Sequence, residues 1–508
     1  MKSPISDWRI LLIPFALLAV AIPFIVRANL QSVHAITDTT YPESSLVQIG
    51  LWAAQSGHLY PSLANAPFTP APHGPAYYIL LRGLAAAAPS DFDSLAHTAR
   101  LISFLAFALT CIELAIISRR FGVSQLICIV PVLIIFTNPE FYPWTATARP
   151  DMIAMLFNVS AIMCFTWYVE PDLALLFAAG LFAGASIAFK QSMAAAALAI
   201  ACTLLLHRRW RQLIVFCAAA AAVPLAVVAP LLSRREPVLE EMMIMRYFAK
   251  DLPSEIRIVG SLIIHKVWYF PLILFAVGGF LIAWKCKSIR SHLLIAYAVF
   301  AFAIGLFTLL NVGGNINYLA EGWIAFALLS SLGLDELRLR WPHTVPTLRY
   351  LIVGFLLVTL SWQAARAHSP DIKLDDLDPQ IMKLIRGRRV FSDVPYLSTH
   401  GVDPELLDAY TTTQLELHNK WSSIPLQDQL HRRWFDFVIL YYADGILPRH
   451  HRGFSSLSDD VMTAISQQYI PACILKGDVL LLYVPAESSA TAANDPQIRA
   501  VCSNSPTK

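Results

Sequence analysis

The sequence predicts a mainly α protein: a polytopic membrane helix bundle of about 11 transmembrane helices, with a small C-terminal α/β extracytoplasmic domain. Three observations carry this. The 508 residues are 56% hydrophobic and only 14% charged, whereas a soluble domain is about 45–50% apolar and roughly 25% charged. The apolar residues fall in runs of about 17–20 separated by short polar breaks, the length that crosses roughly 30 Å of hydrocarbon. After about residue 365 the runs stop and strand-length alternation replaces them. A net charge of +3 gives no electrostatic footprint for nucleic acid, so a nucleic-acid partner is excluded.

In chain order, the predicted spans are Ile10–Val26, Leu101–Ser118, Gln125–Thr137, Met152–Val169, Leu173–Ala188 and Met193–Leu206, then Leu213–Leu232, Val267–Trp284, Leu293–Leu310, Trp323–Leu334 and Leu348–Gln363. The first is read as an anchored helix and not a signal peptide, since no small-x-small cleavage site follows it. With the N-terminus cytoplasmic, the short inner breaks are all basic: Arg119-Arg120, His207 to Arg211, Lys285 to Arg290, and Arg338 to Arg349. Two long loops, at about 28–99 and 233–266, then lie outside, and an odd number of spans places the tail outside with them. In a bacterium this is a multi-pass inner-membrane protein with a periplasmic tail. The three divisions expected are 1–365 for the membrane module, 366–486 for the α/β domain and 487–508 for a disordered tail.

Within the tail, strand-like runs are Arg389–Ser392, Phe435–Tyr442, Tyr469–Leu475 and Val479–Val484, the last two joined by the turn Lys476-Gly477-Asp478. Helical patterns occupy Pro404–His418 and Asp459–Gln468. Six of the eight cysteines lie in or beside apolar runs and read as packing residues. Cys473 and Cys502 lie in the tail, where either a disulfide or two free thiols fits, the disulfide only outside the cytoplasm.

Ionisable residues at span ends are functional candidates, because charge is costly near hydrocarbon. On the predicted outer side these are Asp38 and Glu43 in the first loop, Arg149 and Asp151 opening the fourth span, Lys190 and Gln191 in a tight turn, and Asn315, Asn317, Tyr318 and Glu321 before the tenth span. Carboxylates beside cations at a membrane surface suit a reaction in which one acid takes a proton from an acceptor hydroxyl while cations stabilise a departing phosphate. Each group also has a plain alternative: a solvated loop acid for Glu43, an interfacial ion pair for Arg149 and Asp151, a snorkelling anchor for Lys190, and a satisfied turn for Asn315, Asn317 and Tyr318. His34, His58 and His73 share the first loop with the carboxylates but match no ligand spacing, so a divalent metal is not indicated. Glu240-Glu241-Met242-Met243, early in the second long loop, reads as an interfacial helix or a plain connector.

The first loop reads Tyr41-Pro42-Glu43-Ser44, then Gly57-His58-Leu59-Tyr60-Pro61, then Pro70 to Tyr77-Tyr78. With Arg149-Pro150-Asp151-Met152, Phe189-Lys190-Gln191 and Asn317-Tyr318-Leu319-Ala320-Glu321 following in order, the first 365 or so residues resemble the GT-C superfamily of membrane glycosyltransferases. The resemblance is to its family 39-like branch, which includes the lipid A aminoarabinose transferase, the protein O-mannosyltransferases and the lipopolysaccharide-core galacturonosyltransferases. Ser44 stands where that family often has a second acidic residue or Gly, and Ala76 where Leu is common. The resemblance implies transfer of a sugar from a polyprenyl-phosphate donor to a glycolipid, glycan or protein acceptor at the outer face of the bilayer, with inversion at the anomeric carbon. It implies that Glu43, or alternatively Asp38, is the general base, and that Lys190 and Arg149 neutralise the leaving phosphate while Asp151 orients Arg149. Gln191, Asn315, Asn317, Tyr318 and Glu321, with Tyr60, Tyr77 and Tyr78, would line the substrate pockets; no cofactor is required. The competing classes are a transporter or flippase of lipid-linked sugars, for which no internal repeat is visible, and a non-catalytic glycolipid-binding relative.

Overall fold

A computed structural model describes most of residues 43–340 and 379–504. Outside the description lie 1–25, 245–269 except Gly260, 341–378, 442–456 and 505–508, with shorter stretches at 36–42, 64–67, 88–90, 139–143, 168–171, 312–313, 404–407, 476–479 and 489–493 and a few single positions. The chain divides into two compact units. The first comprises 1–34, 100–229 and 248–370, and the second 35–99, 230–247 and 371–508. The second thus gathers most of the first long loop and the start of the second with the tail, a grouping that the linear division at 365 does not contain.

In the first unit the apolar runs form helices, because a segment in hydrocarbon must satisfy every backbone group internally. They are Phe92–Arg120, Val130–Phe136 with a short 3-10 turn before it, Asp151–Trp167, Leu173–Phe189, Ala195–Leu206, Trp210–Ser233, Phe270–Cys286, Ile289–Leu309 and Ala320–Arg340, with residues 92–99 and 230–233 counted in the second unit. Nine of the eleven predicted spans therefore have a helix, while Ile10–Val26, except for Val26 itself, and Leu348–Gln363 fall outside the described residues. Only Phe92–Arg120, Trp210–Ser233 and Ile289–Leu309 are long and apolar enough to cross a membrane by themselves among the described residues; the other apolar helices are shorter.

Without a hydrophobic drive between helices in lipid, close packing depends on small residues. Gly180 and Gly184, four apart on Leu173–Phe189, meet Ala219 and Ala220 so closely that a Cβ on Gly184 would stand 2.3 Å from the Ala220 carbonyl oxygen. Gly279 and Gly333 do the same where Phe270–Cys286 crosses Ala320–Arg340, each facing the other's backbone.

The second unit contains a five-stranded sheet in the order β1-β2-β4-β3-β5. Its strands are β1 Val390–Ser392, β2 Phe437–Tyr441, β3 Tyr469–Leu475, β4 Leu480–Pro485 and β5 Cys502–Asn504. β1 and β2 are parallel, and the remaining pairs are antiparallel. Alternation sorts the side chains: Phe437 and Ile439 enter one core cluster and Val438 and Leu440 the other, so both faces of the sheet are covered. The first four strands and the helix Asp459–Gln468 follow the sequence expectation, and the helix expected over Pro404–His418 is Ala409–Leu417. Disorder from 487 onward is corrected for 494–504: Pro496–Val501 is helical and Cys502–Asn504 is β5. The reason is covalent, because Cys473 and Cys502 are joined in a disulfide that fastens β5 beside β3.

Two helices from the first loop belong to this unit, Glu43–Ser56 and Pro75–Ala87, and they pack together at Gly50, where a Cβ would stand 2.6 Å from that of Leu81. The loop also reaches the tail: Phe68 joins one core cluster, Trp421 Nε1 donates to the Leu63 carbonyl at 3.0 Å, and Phe92 packs edge-on against Tyr396.

Candidate active site

The candidate residues of the first unit converge on Asp151. Pro150 ends an irregular stretch and Asp151 opens a helix, so its carboxylate stands at the positive end of the macrodipole. Lys190 follows the last turn of Leu173–Phe189, where a cation is favoured for the complementary reason. Its backbone N–H donates to Ser186, and the Ser186 hydroxyl donates to the carbonyls of Ala154 and Met193, which ties the turn to the Asp151 helix. The Lys190 ammonium donates to Asp151 Oδ1 at 2.6 Å, and the Asn317 amide donates to the same oxygen at 2.6 Å. Arg149 Nε donates to Oδ2 at 3.3 Å.

All four groups are buried; Lys190 and Asp151 are only 2% and 1% exposed. Lys190 Nζ lies 4.6 Å from the centre of the Tyr318 ring, and the Arg149 guanidinium 5.0 Å from that of Trp144. Two cationic side chains meet at one buried carboxylate in a water-poor setting, where charge acts more strongly on an anion than it would in water. Beside the cluster lies a narrow crevice lined by Trp144, Asp151, Met152, Asn317, Ala320 and Trp323.

The remaining candidates divide. Asn315 caps the 3-10 turn Ile316–Leu319 by accepting from the Ile316 amide, and Tyr318 lies on that turn. Gln191 lies in the Lys190 turn. Glu321 sits one layer back, where its Oε1 accepts from Asn158 Nδ2 at 2.6 Å and from the Ala195 amide at 3.1 Å. Asn158, in turn, accepts from the Tyr297 hydroxyl. Glu321 thus braces the start of the helix that follows Lys190. Asn158 was not among the sequence candidates: one amide inside an apolar run carries no signal of which partner it will find.

In the second unit, Glu43 is the first residue of its helix and is fully buried. Tyr77 and Tyr78 are also buried, and Tyr60 meets Tyr78 edge-on at 5.5 Å. The Tyr60 hydroxyl donates to the His73 carbonyl at 3.0 Å. Burial first, and then Tyr78, Glu241 and Glu236 nearby, hold the Tyr60 phenol well above its ordinary pKa, so it stays a donor. Asp38 lies outside the described residues. Among the described residues no group of three or more His, Cys, Asp or Glu side chains could hold a metal ion.

The family model described as dolichyl-phosphate-mannose-protein mannosyltransferase matches residues 75–233. That stretch contains Arg149, Asp151, Lys190 and Gln191 and is less than half the chain. No curated protein sequence matches. Among solved structures, the chain is similar to ArnT from Cupriavidus metallidurans bound to undecaprenyl phosphate, with a TM-score of 0.58 at 12% identity over 92% of this chain and 97% of that one. It is similar to the same protein in the apo state with a TM-score of 0.57 at 11% identity, over the same shares. The oligosaccharyltransferase AglB from Archaeoglobus fulgidus gives 0.49 at 11% identity over 93% of this chain and 77% of that one, too low to carry weight. At these identities the likeness is one of fold.

Proposed function

We propose that this chain is a GT-C glycosyltransferase that transfers a sugar from a polyprenyl-phosphate donor to a cell-envelope acceptor on the outer face of the inner membrane, a reading supported by the family match over 75–233 and the likeness of fold. The observation that carries the reading is the Asp151 cluster: a buried Lys and Arg held by one carboxylate, inside the stretch matched by a family of lipid-phosphate sugar transferases. The structural neighbour that holds undecaprenyl phosphate supports a polyprenyl phosphate as the leaving group. The gathering of most of the first long loop, the start of the second and the tail into one compact unit supports their lying on one side of the bilayer. The Cys473–Cys502 disulfide supports that side being outside the cytoplasm.

In this reading Glu43 accepts the proton of the acceptor hydroxyl as its oxygen attacks the anomeric carbon. The bond from that carbon to the phosphate oxygen breaks, and the electron pair leaves with the polyprenyl phosphate. Lys190 and Arg149 stabilise the phosphate charge, and Asp151 with Asn317 fixes where the two cations stand. A single displacement inverts the anomeric centre. Cationic side chains do the work of leaving-group stabilisation, so the scheme requires no metal and no nucleotide. Asp38 is the alternative base.

The test is turnover of a panel of polyprenyl-phosphate sugars by the purified protein in lipid, with cell-envelope glycolipid, glycan and protein acceptors. Wild type releases polyprenyl phosphate, and Glu43→Gln lowers kcat by about 10²–10⁴-fold. Activity that survives Glu43→Gln and is lost in Asp38→Asn moves the base and keeps the class. Transfer of labelled glycolipid across a vesicle bilayer with no donor consumed overturns the reading in favour of a flippase.

A further inference from the structure

The second long loop carries two buried carboxylates that the reaction scheme leaves unused. Glu236 follows the end of Trp210–Ser233, and Glu241 lies in the short helix Val238–Met243; they are 6% and 3% exposed. Their partners are backbone amides of the first loop, some 170 residues away. Glu236 Oε2 accepts from the Leu59 N–H at 2.8 Å and from the Tyr60 N–H at 3.2 Å, and its other oxygen lies 3.8 Å from His58 Nδ1. Glu241 Oε2 accepts from the Ala71 N–H at 3.0 Å.

These contacts fall at the two ends of one connection. The helix Glu43–Ser56 stops at Gly57, whose φ of +78° is a left-handed conformation that suits glycine, and whose N–H donates to Ala53. Leu59 and Tyr60 come straight after. At the other end Ala71 precedes Gly74 and the helix that begins at Pro75, and the Tyr60–His73 hydrogen bond ties the two ends together. The pair of helices that includes Glu43 is therefore closed by a connection fastened twice from another loop. A carboxylate-to-amide bond is charge-assisted while the acid is ionised, and is then roughly twice as strong as a neutral one. It is also indifferent to side-chain identity, so it fixes the course of the backbone itself.

We propose that Glu236 and Glu241 are positioning residues for the transfer: a two-point clasp that fixes the connection after the Glu43 helix and so holds the Glu43 carboxylate at the geometry its proton transfer needs. The inference rests on Glu43 being the general base. Neither glutamate touches substrate in this scheme. Their effect runs through the Leu59, Tyr60 and Ala71 backbone to the helix, and a small displacement of a reacting group is enough to cost about 10²-fold in rate.

The experiment uses the full chain in lipid with a polyprenyl-phosphate sugar and reads two quantities for Glu236→Ala, Glu241→Ala, Glu236→Asp and Glu236→Gln. One is kcat and donor KM; the other is amide hydrogen exchange. The expected result is a fall in kcat of about 10- to 100-fold in each Ala variant, with donor KM little changed and faster exchange at 59–60 or at 71. Exchange in β2 of the tail should stay at the wild-type rate, showing that the protein is folded. Glu236→Gln keeps an acceptor oxygen at the same reach and should recover most of kcat. Glu236→Asp, one methylene shorter, should fall between, and it decides the matter if the Ala variant does not fold. Faster exchange at 59–60 with kcat unchanged overturns the positioning role, as does a loss confined to donor KM. If wild type turns over no donor, the transferase reading fails separately. The clasp is then judged by exchange in the last turn of Glu43–Ser56, where an unchanged rate in Glu236→Ala overturns it.

Discussion

Buried carboxylates occur in both units, and Asp151 in the first is satisfied differently from Glu241 and Asp393 in the second. Asp151, among the membrane helices, is held by side chains: an ammonium, a guanidinium and a carboxamide delivered from three separate segments. In the second unit, Glu241 and Asp393 are held by backbone amides, those of Ala71 and Tyr441. A cation beside a carboxylate removes the cost of the charge by pairing it, whereas an amide removes only part of it. The protonation of these two groups shows the difference. Burial pushes Glu241 up to about 7 and Asp393 up to about 7, with the amides pulling in the other direction and losing. Asp151 is thus held by cations that pair it, whereas Glu241 and Asp393 are acids that change state near neutral pH.

The contrast can be broken most forcefully at Asp151. In Asp151→Ala two buried cations lose their shared partner, and removing one member of such a cluster costs about 3–5 kcal/mol. The expected outcome is a large drop in the thermal midpoint of the protein in lipid, together with loss of transfer. Adding Lys190→Met to that variant should restore part of the stability and none of the activity. If the single variant is as stable as wild type, the charges are not mutually dependent.

Asp393 sharpens the comparison from the other side. Its pKa is raised from 3.8 to about 7 on folding, so the native state binds the proton more tightly than the unfolded chain does. The resulting stabilisation is fully present below about pH 4, shrinks as pH rises, and is gone above about 7. The span corresponds to at most about 4 kcal/mol. Asp393→Asn should flatten the stability profile of the tail between pH 4 and 7 and leave transfer unaffected, as read from hydrogen exchange in β1 and β2. A variant that keeps the wild-type slope would assign the pH dependence elsewhere.

Glu241 should give a smaller version of the same result, since its pKa starts higher, at 4.5, and it is less completely buried. Stability again falls as pH rises toward 7, by at most about 3 kcal/mol. Glu241→Gln should remove that slope for exchange at Ala71. If it removes none, the amide contact and not burial governs this residue.

How much of this could be read from the chain depends on distance along it. Helices at nine of the expected spans, four of the strands and the helix Asp459–Gln468 are written in local periodicity, and so they were legible. Arg149, Asp151 and Lys190 were legible as charges at span ends, because such charges are costly anywhere near lipid. Their convergence on a single carboxylate depends on three segments meeting, and no local pattern encodes it. Asn158 resembles any polar residue tolerated in a helix, and Glu321 reads equally as a pocket residue. Glu236 stands next to Arg234-Arg235, where a solvated acid is the ordinary expectation, and only the fold reveals that it faces amides 177 positions away.

The disulfide between Cys473 and Cys502 has a consequence beyond fastening the chain end. β3 pairs with β4 on one side and with the short β5 on the other, so β5 is what closes that border of the sheet. An open border presents unpaired amides and carbonyls to any passing chain and invites strand-to-strand association between molecules. Reduction would release β5 and uncover Ile474 and Leu475, the positions it pairs with. The cystine therefore acts as a guard on self-association, and a preparation made without oxidation should be recognised first by its tendency to form oligomers.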